Sequence, residues 1–164
     1  MTLYFRLLGG GLVVLSAIFA SLEYSRYADL RLLHYSSLAS LFDHAGGMIS
    51  KFLLKGDELW RSFRNEALEK IGLIDRLREG ESLFSAFEKC ENSLALSKET
   101  KEKIKKILAS AGQEYRNGAA EAYLSIAKWL EEEKNSEKER LNKSVKVTRA
   151  LLIGGALAFL ILII

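Results

Sequence analysis

Charge is absent from two stretches of this chain and dense between them. Leu7–Leu22 (LLGGGLVVLSAIFASL) and Ala150–Ile164 (ALLIGGALAFLILII) contain no ionisable side chain, whereas every acidic residue and every basic residue except Arg6 falls between Glu23 and Arg149. A helix on a globular core keeps a polar face toward water, and the last fifteen residues have none. The pattern therefore predicts a membrane helix there. Fifteen residues give ~22 Å of helix, short of the ~30 Å hydrocarbon layer. The shortfall closes if the helix starts near Ser144 and Lys146 and Arg149 snorkel toward the headgroups. The first apolar stretch, extended by Leu3, Tyr4 and Phe5, is long enough to cross as well. A cleaved signal peptide is the competing reading, but no Ala-x-Ala site follows.

Between these ends the periodicity is helical. Tyr27, Leu30, His34, Leu38, Leu41 and Ala45 recur at three- and four-residue intervals and predict a helix over Tyr24–Ala45, with His34 packed on its inner face. Gly46-Gly47 is expected to break it, followed by a short apolar turn to Leu54 that Lys55-Gly56 ends. Asp57 is a candidate N-cap for a helix whose stripe is Trp60, Phe63, Ala67 and Ile71. Gly72 suits the left-handed position after that helix. A short helix over Leu73–Glu79 ends at Gly80.

Ser82 then caps a helix that buries Leu83, Ala86, Phe87 and Cys90. Ser97 caps another, charged at its start (KETKEKIKK), which buries Ile104, Ile107, Leu108 and Ala111 before Gly112. After Gly118 a helix can start and need not stop. Ala119, Ala122, Tyr123, Ile126, Trp129 and Leu130 give it a packed face. Glu131–Arg140 holds no apolar residue and predicts an exposed stalk with Glu131–Lys134, Glu137–Arg140 and Glu139–Lys143 pairs.

The expected organisation is an N-terminal transmembrane anchor over 1–23, a helical bundle with its stalk over 24–143, and a C-terminal transmembrane helix over 144–164. The fold class is all-α, an antiparallel bundle between two membrane helices. The chain has 164 residues and no proline, consistent with long uninterrupted helices. Its 24 basic and 21 acidic residues point to no nucleic-acid partner. Their placement is more informative. Lys143, Lys146 and Arg149 form a basic collar before the last span, and Arg26 and Arg31 follow the first. The positive-inside tendency then places the middle in the cytoplasm and both termini outside.

Candidate chemistry is sparse. No phosphate-cradling loop, dinucleotide fingerprint, nucleophile elbow or His/Cys cluster with metal spacing occurs. Glu131-Glu132-Glu133 points its carboxylates to different sides of a helix. A single cysteine forms no intrachain disulfide. The expectation is a non-enzyme with no cofactor, metal or small-molecule substrate, whose partners are other proteins and the lipid bilayer.

Layout and motifs together resemble the stage III sporulation protein AB family. The anchor L-L-G-G-G-L-V-V-L-S, the helical middle, the charged stalk and the apolar tail carry the likeness. So does LREGESLFSAFEK (Leu77–Lys89), which is similar to a G-x-S/P-L-x-x-A-L/F pattern shared with platform proteins of type II secretion and type IV pili. Gly80, Ser82, Leu83, Ala86 and Phe87 match it. SAGQEYRNG, with Gly112 and Gly118, resembles the turn before the family's final helix. A Pro-Leu expected before the second helix is replaced by GGMISKF, and the acidic and glutamine residues expected in the turn are missing. The resemblance implies a structural subunit of the channel apparatus joining mother cell and forespore. It would lie in the mother-cell membrane around the forespore, with its cytoplasmic domain docking the secretion-type ATPase of the complex alongside the other membrane subunits. Lys98–Lys106, Asp75–Glu81 and Glu131–Arg140 are the candidate docking surfaces. A two-anchor sensor, or a scaffold of a different complex, is the alternative.

Overall fold

The computed structural model describes residues 2–52, 58–111 and 116–163. The chain is all-helical, 90% helix, with no strand among the described residues. Among the described residues seven helices follow in order: α1 (Thr2–Phe52), α2 (Glu58–Arg61), α3 (Glu66–Lys70), α4 (Leu73–Arg78), α5 (Leu83–Cys90), α6 (Lys98–Ala111) and α7 (Arg116–Ile163), with one 3-10 turn at Glu91–Ser93. Two compact units result, one made of Met1–Leu30 with Glu137–Ile164 and the other of Arg31–Ser136.

The second unit holds the hydrophobic core. Tyr35, Leu38, Leu41 and Phe42 of α1 are fully buried together with Leu68, Leu73, Ile74, Leu77, Phe87, Ile104, Ile126 and Leu130. Phe42 meets Tyr123 at 6.0 Å between ring centroids. Polar groups enter this interior too, and a hydroxyl pair and a histidine among them are hydrogen-bonded. The hydroxyls of Tyr35 and Thr100 lie 2.9 Å apart, and His34 Nδ1 accepts the Ala95 N–H at 2.8 Å. His34 is thus packed, as its position on the inner face predicts. Burial, aided by the Lys101 charge, holds its imidazole below the usual range.

Several boundaries differ from the sequence expectation. Gly46-Gly47 does not end α1, which continues to Phe52. Gly46 instead lets α7 come close: a Cβ there would stand 2.6 Å from Leu124 Cγ and 3.0 Å from the Ala120 carbonyl oxygen. Gly47 faces open space. The buried stripe of α1 includes Leu38, Leu41 and Ala45 as expected, but Tyr27 and Leu30 are exposed. In those turns the small Ala28 is the buried position.

The single helix expected around Trp60 is two, α2 and α3, separated at Ser62–Asn65. Asn65 adopts extended backbone, φ −155° and ψ 109°, and its side chain accepts the Leu68 N–H. This Asn is a stronger helix start than the apolar period is a continuation. The carbonyls freed at the break find donors elsewhere. His44 Nε2 donates to Leu59 O at 3.0 Å, and Arg78 Nη2 donates to Phe63 O at 2.8 Å. Leu59, Trp60 and Phe63 are buried, while Ala67 and Ile71 are only half-buried. The Asp57 cap and the Lys55-Gly56 ending lie outside the described residues.

The first unit consists of the start of α1 and the end of α7. A Cβ on Gly10 would meet the tip of the Leu160 side chain, which would have to turn aside. Further along, Ser21 meets Arg149 and Tyr24 meets Ser144. The stretch read as an exposed stalk is partly packed. Glu137 is 6% exposed and accepts from Arg140 Nη1 at 3.3 Å, and Leu141 is buried. The expected Glu131–Lys134 pair forms, whereas Glu139–Lys143 does not.

Candidate functional site

Two places gather the residues singled out from the sequence. One is the α4–α5 turn. Helix α4 ends in a Schellman arrangement: Gly80 N–H bonds Leu77 O at 3.2 Å and Glu81 N–H bonds Arg76 O at 3.1 Å. This requires the left-handed φ of 91° at Gly80, which a side chain would strain. Two residues later Ser82 starts α5, its hydroxyl accepting the Ser85 N–H at 3.2 Å. Leu83, Ala86, Phe87 and Cys90 then turn inward together, all buried. The matched motif is therefore a turn, a cap and a core stripe. Its residues fix where α5 lies.

Glu81 is the organiser that sequence reading missed. Its carboxylate receives Lys89 Nζ at 2.9 Å, Arg76 Nη1 at 3.2 Å and the Ser85 hydroxyl at 3.4 Å. The hydrogen bond from Lys89 holds its pKa below the usual carboxylate range, with the charges of Lys89 and Arg76 adding to the effect. Glu81 and Ser85 stand four apart and Lys89 four further, a helical spacing visible in the sequence. Arg76 joins only through the fold. The group is a clasp: all of its donors are engaged by one carboxylate, and no nucleophile or base accompanies them.

Gly112 lies outside the described residues. Gly118 is described, but it falls inside α7, which already begins at Arg116, so it is not a turn residue. Boundary shifts of this size are ordinary where a helix start is decided by weak local signals.

The other place is the basic collar. Lys143, Lys146 and Arg149 are exposed on α7. Arg149 Nε donates to the buried Ser21 hydroxyl at 3.3 Å. One turn back, the hydroxyls of Tyr24 and Ser144 are 2.6 Å apart. Neither contact is legible from sequence, since the partners stand 128 and 120 positions apart.

Apolar surface surrounds the collar. Leu8–Lys51 and Gly118–Leu162 are both long and apolar enough to cross a membrane. Their most apolar windows are only 17% and 6% buried, whereas a core helix of a soluble protein would hide such a surface. Leu12, Leu15, Phe19, Leu151 and Leu162 are among the exposed side chains.

No group of three or more His, Cys, Asp or Glu side chains able to hold a metal ion occurs among the described residues. Compared with protein-family models, curated proteins and solved structures, the chain finds no match.

Proposed function

We propose that this chain is a two-span structural component of a secretion-like membrane apparatus, the role implied by its resemblance to the stage III sporulation protein AB family. On this reading the helical middle is an antiparallel, platform-like bundle. It faces the cytoplasm and docks the apparatus ATPase, without catalytic activity of its own. The observation that carries the proposal is the contrast between two kinds of helix surface. Residues from Arg31 to Ser136 bury their own apolar core, while the charge-free ends of α1 and α7 leave theirs outside. Such a chain offers helix faces to partners while lipid restricts where it can diffuse.

Helix α7 carries no interruption between Arg116 and Ile163, which suits a subunit that conveys movement along one rod. Affinity capture of the tagged full-length chain from sporulating cells is expected to recover a secretion-type ATPase. Recovery of a sensor kinase in its place would favour the sensor alternative and sink the proposal. A flexible Gly/Ser insertion after Asn135 is expected to impair sporulation while membrane integration persists. Unimpaired sporulation would remove the rod from the mechanism.

A further inference from the structure

Several cations of the described chain are paired with a neighbouring carboxylate: Arg26 with Glu23, Lys70 with Glu66, Arg76 and Lys89 with Glu81, Lys105 with Glu91 and Glu102. The collar differs in lying on a stretch with no carboxylate at all. Lys143 and Lys146 are exposed and have no acidic partner, and no acidic residue occurs anywhere between Arg140 and Ile164. Arg149 is fixed rather than free. Its Nε is taken by Ser21, and its two terminal nitrogens have no partner among the described residues. Those nitrogens form the edge of the guanidinium that matches two oxygens of a phosphate.

Position along the helix adds the second constraint. Lys143 stands six residues before Arg149, ~9 Å along the axis, with Lys146 midway. Ala150 begins the uncharged run. Tyr24, tied to Ser144, sits at the same level, and a tyrosine there is suited to the interface between headgroups and acyl chains. The arrangement is a ladder of cations that ends at the edge of the apolar surface.

We propose that Ser21, Lys143, Lys146 and Arg149 form a binding site for an anionic phospholipid headgroup. Arg149 engages the phosphate through its terminal nitrogens. Lys146 and Lys143 supply the charge that favours an anionic over a zwitterionic lipid. Ser21 is a positioning residue, holding the guanidinium edge outward. The proposal rests on the reading of α1 and α7 as membrane spans, and it adds to that reading a preference for one lipid class.

The test uses the full chain reconstituted in phosphatidylcholine vesicles with a minor fraction of phosphatidylglycerol. Spin-labelled versions of each lipid report their relative association with the protein. The expected preference for phosphatidylglycerol is roughly fivefold for each well-placed basic residue. Arg149→Gln should reduce it about fivefold. Arg149→Lys keeps the charge but loses the paired nitrogens, and should fall between that variant and the unaltered chain. Ser21→Ala should lower the preference about two- to threefold and have no further effect in the Arg149→Gln background. A structural role for Ser21 alone would not show that dependence.

Adding inorganic phosphate at matched ionic strength should leave the preference intact, and its loss would overturn the lipid assignment. Equal association of both lipids with a chain that resists carbonate extraction overturns the site while the spans stand. A chain that carbonate extracts from both compositions overturns the spans, and the site with them.

Discussion

Adjacent glycines near the C-terminal end of α1 have opposite surroundings, and exchanging each for alanine separates packing from propensity. Both variants gain about 0.8–1 kcal/mol, because alanine loses less backbone freedom in a helix than glycine. At Gly47 nothing lies within 4 Å of the new methyl, so the whole gain should appear as stability. At Gly46 the methyl would stand 2.6 Å from Leu124 Cγ and 2.9 Å from its Cδ2, about 1 Å inside the normal carbon–carbon separation of ~3.5–4.0 Å. Relief at Leu124 requires a χ1 change. The Ala120 carbonyl at 3.0 Å can retreat only by straining α7. Overpacking of this kind costs about 1–3 kcal/mol. Since both variants share the propensity gain, the difference between them should be that packing cost. Chemical unfolding of the full chain in detergent micelles, followed by helical circular dichroism, measures both. Leu124→Ala should restore part of the loss in Gly46→Ala and leave the share due to Ala120. Equal stabilisation by the two glycine replacements would refute the close approach of α1 and α7 at Gly46.

Three other outcomes follow from single residues. Phe87→Ala removes a fully buried ring and should lower stability by about 3–5 kcal/mol in the same unfolding assay, whereas Phe84→Ala, at an exposed position of the same helix, should stay within about 0.5 kcal/mol of the unaltered chain. Ser82→Ala removes the α5 cap and should cost about 1 kcal/mol, with Ser82→Asp recovering most of it. For His34, the folded pKa lies below the ordinary 6.5, so the unfolded chain takes up its proton first. Stability should be full above pH 6.5 and fall as the pH drops toward the folded value, because the imidazolium can no longer accept the Ala95 N–H. His34→Gln should flatten that slope in a stability–pH series. Glu81, whose pKa is lowered from 4.5, keeps its contribution above pH 4.5 and gives it up as the pH falls below that.

What could be read from sequence was what neighbouring residues decide. Ser82, Ser97, Gly72 and Gly80 act within four residues of themselves, and all four sit where local rules put them. The i, i+3, i+4, i+7 stripe of α5 is buried for the same reason. The misread positions depend on distant chain. Gly46 looked like a breaker because its use, the close approach of α7, is made 74 and 78 positions away at Ala120 and Leu124. The Trp60 stripe looked continuous because Arg78 and His44, which accommodate the break, belong to other helices. At the candidate sites the caps and core residues were legible individually. The Glu81 clasp was half visible, and the Ser21–Arg149 contact was not visible at all.

The meeting of Gly10 with Leu160 also sets a timetable. A ribosome delivers Leu160 about 150 residues after Gly10, an interval of roughly 8–30 s at 5–20 residues per second. For that time the start of α1 exists while Gly10 lacks Leu160 and Ser21 lacks its arginine. Both contacts wait for the end of α7, so the unit they belong to is completed only after the whole of Arg31–Ser136 has been made.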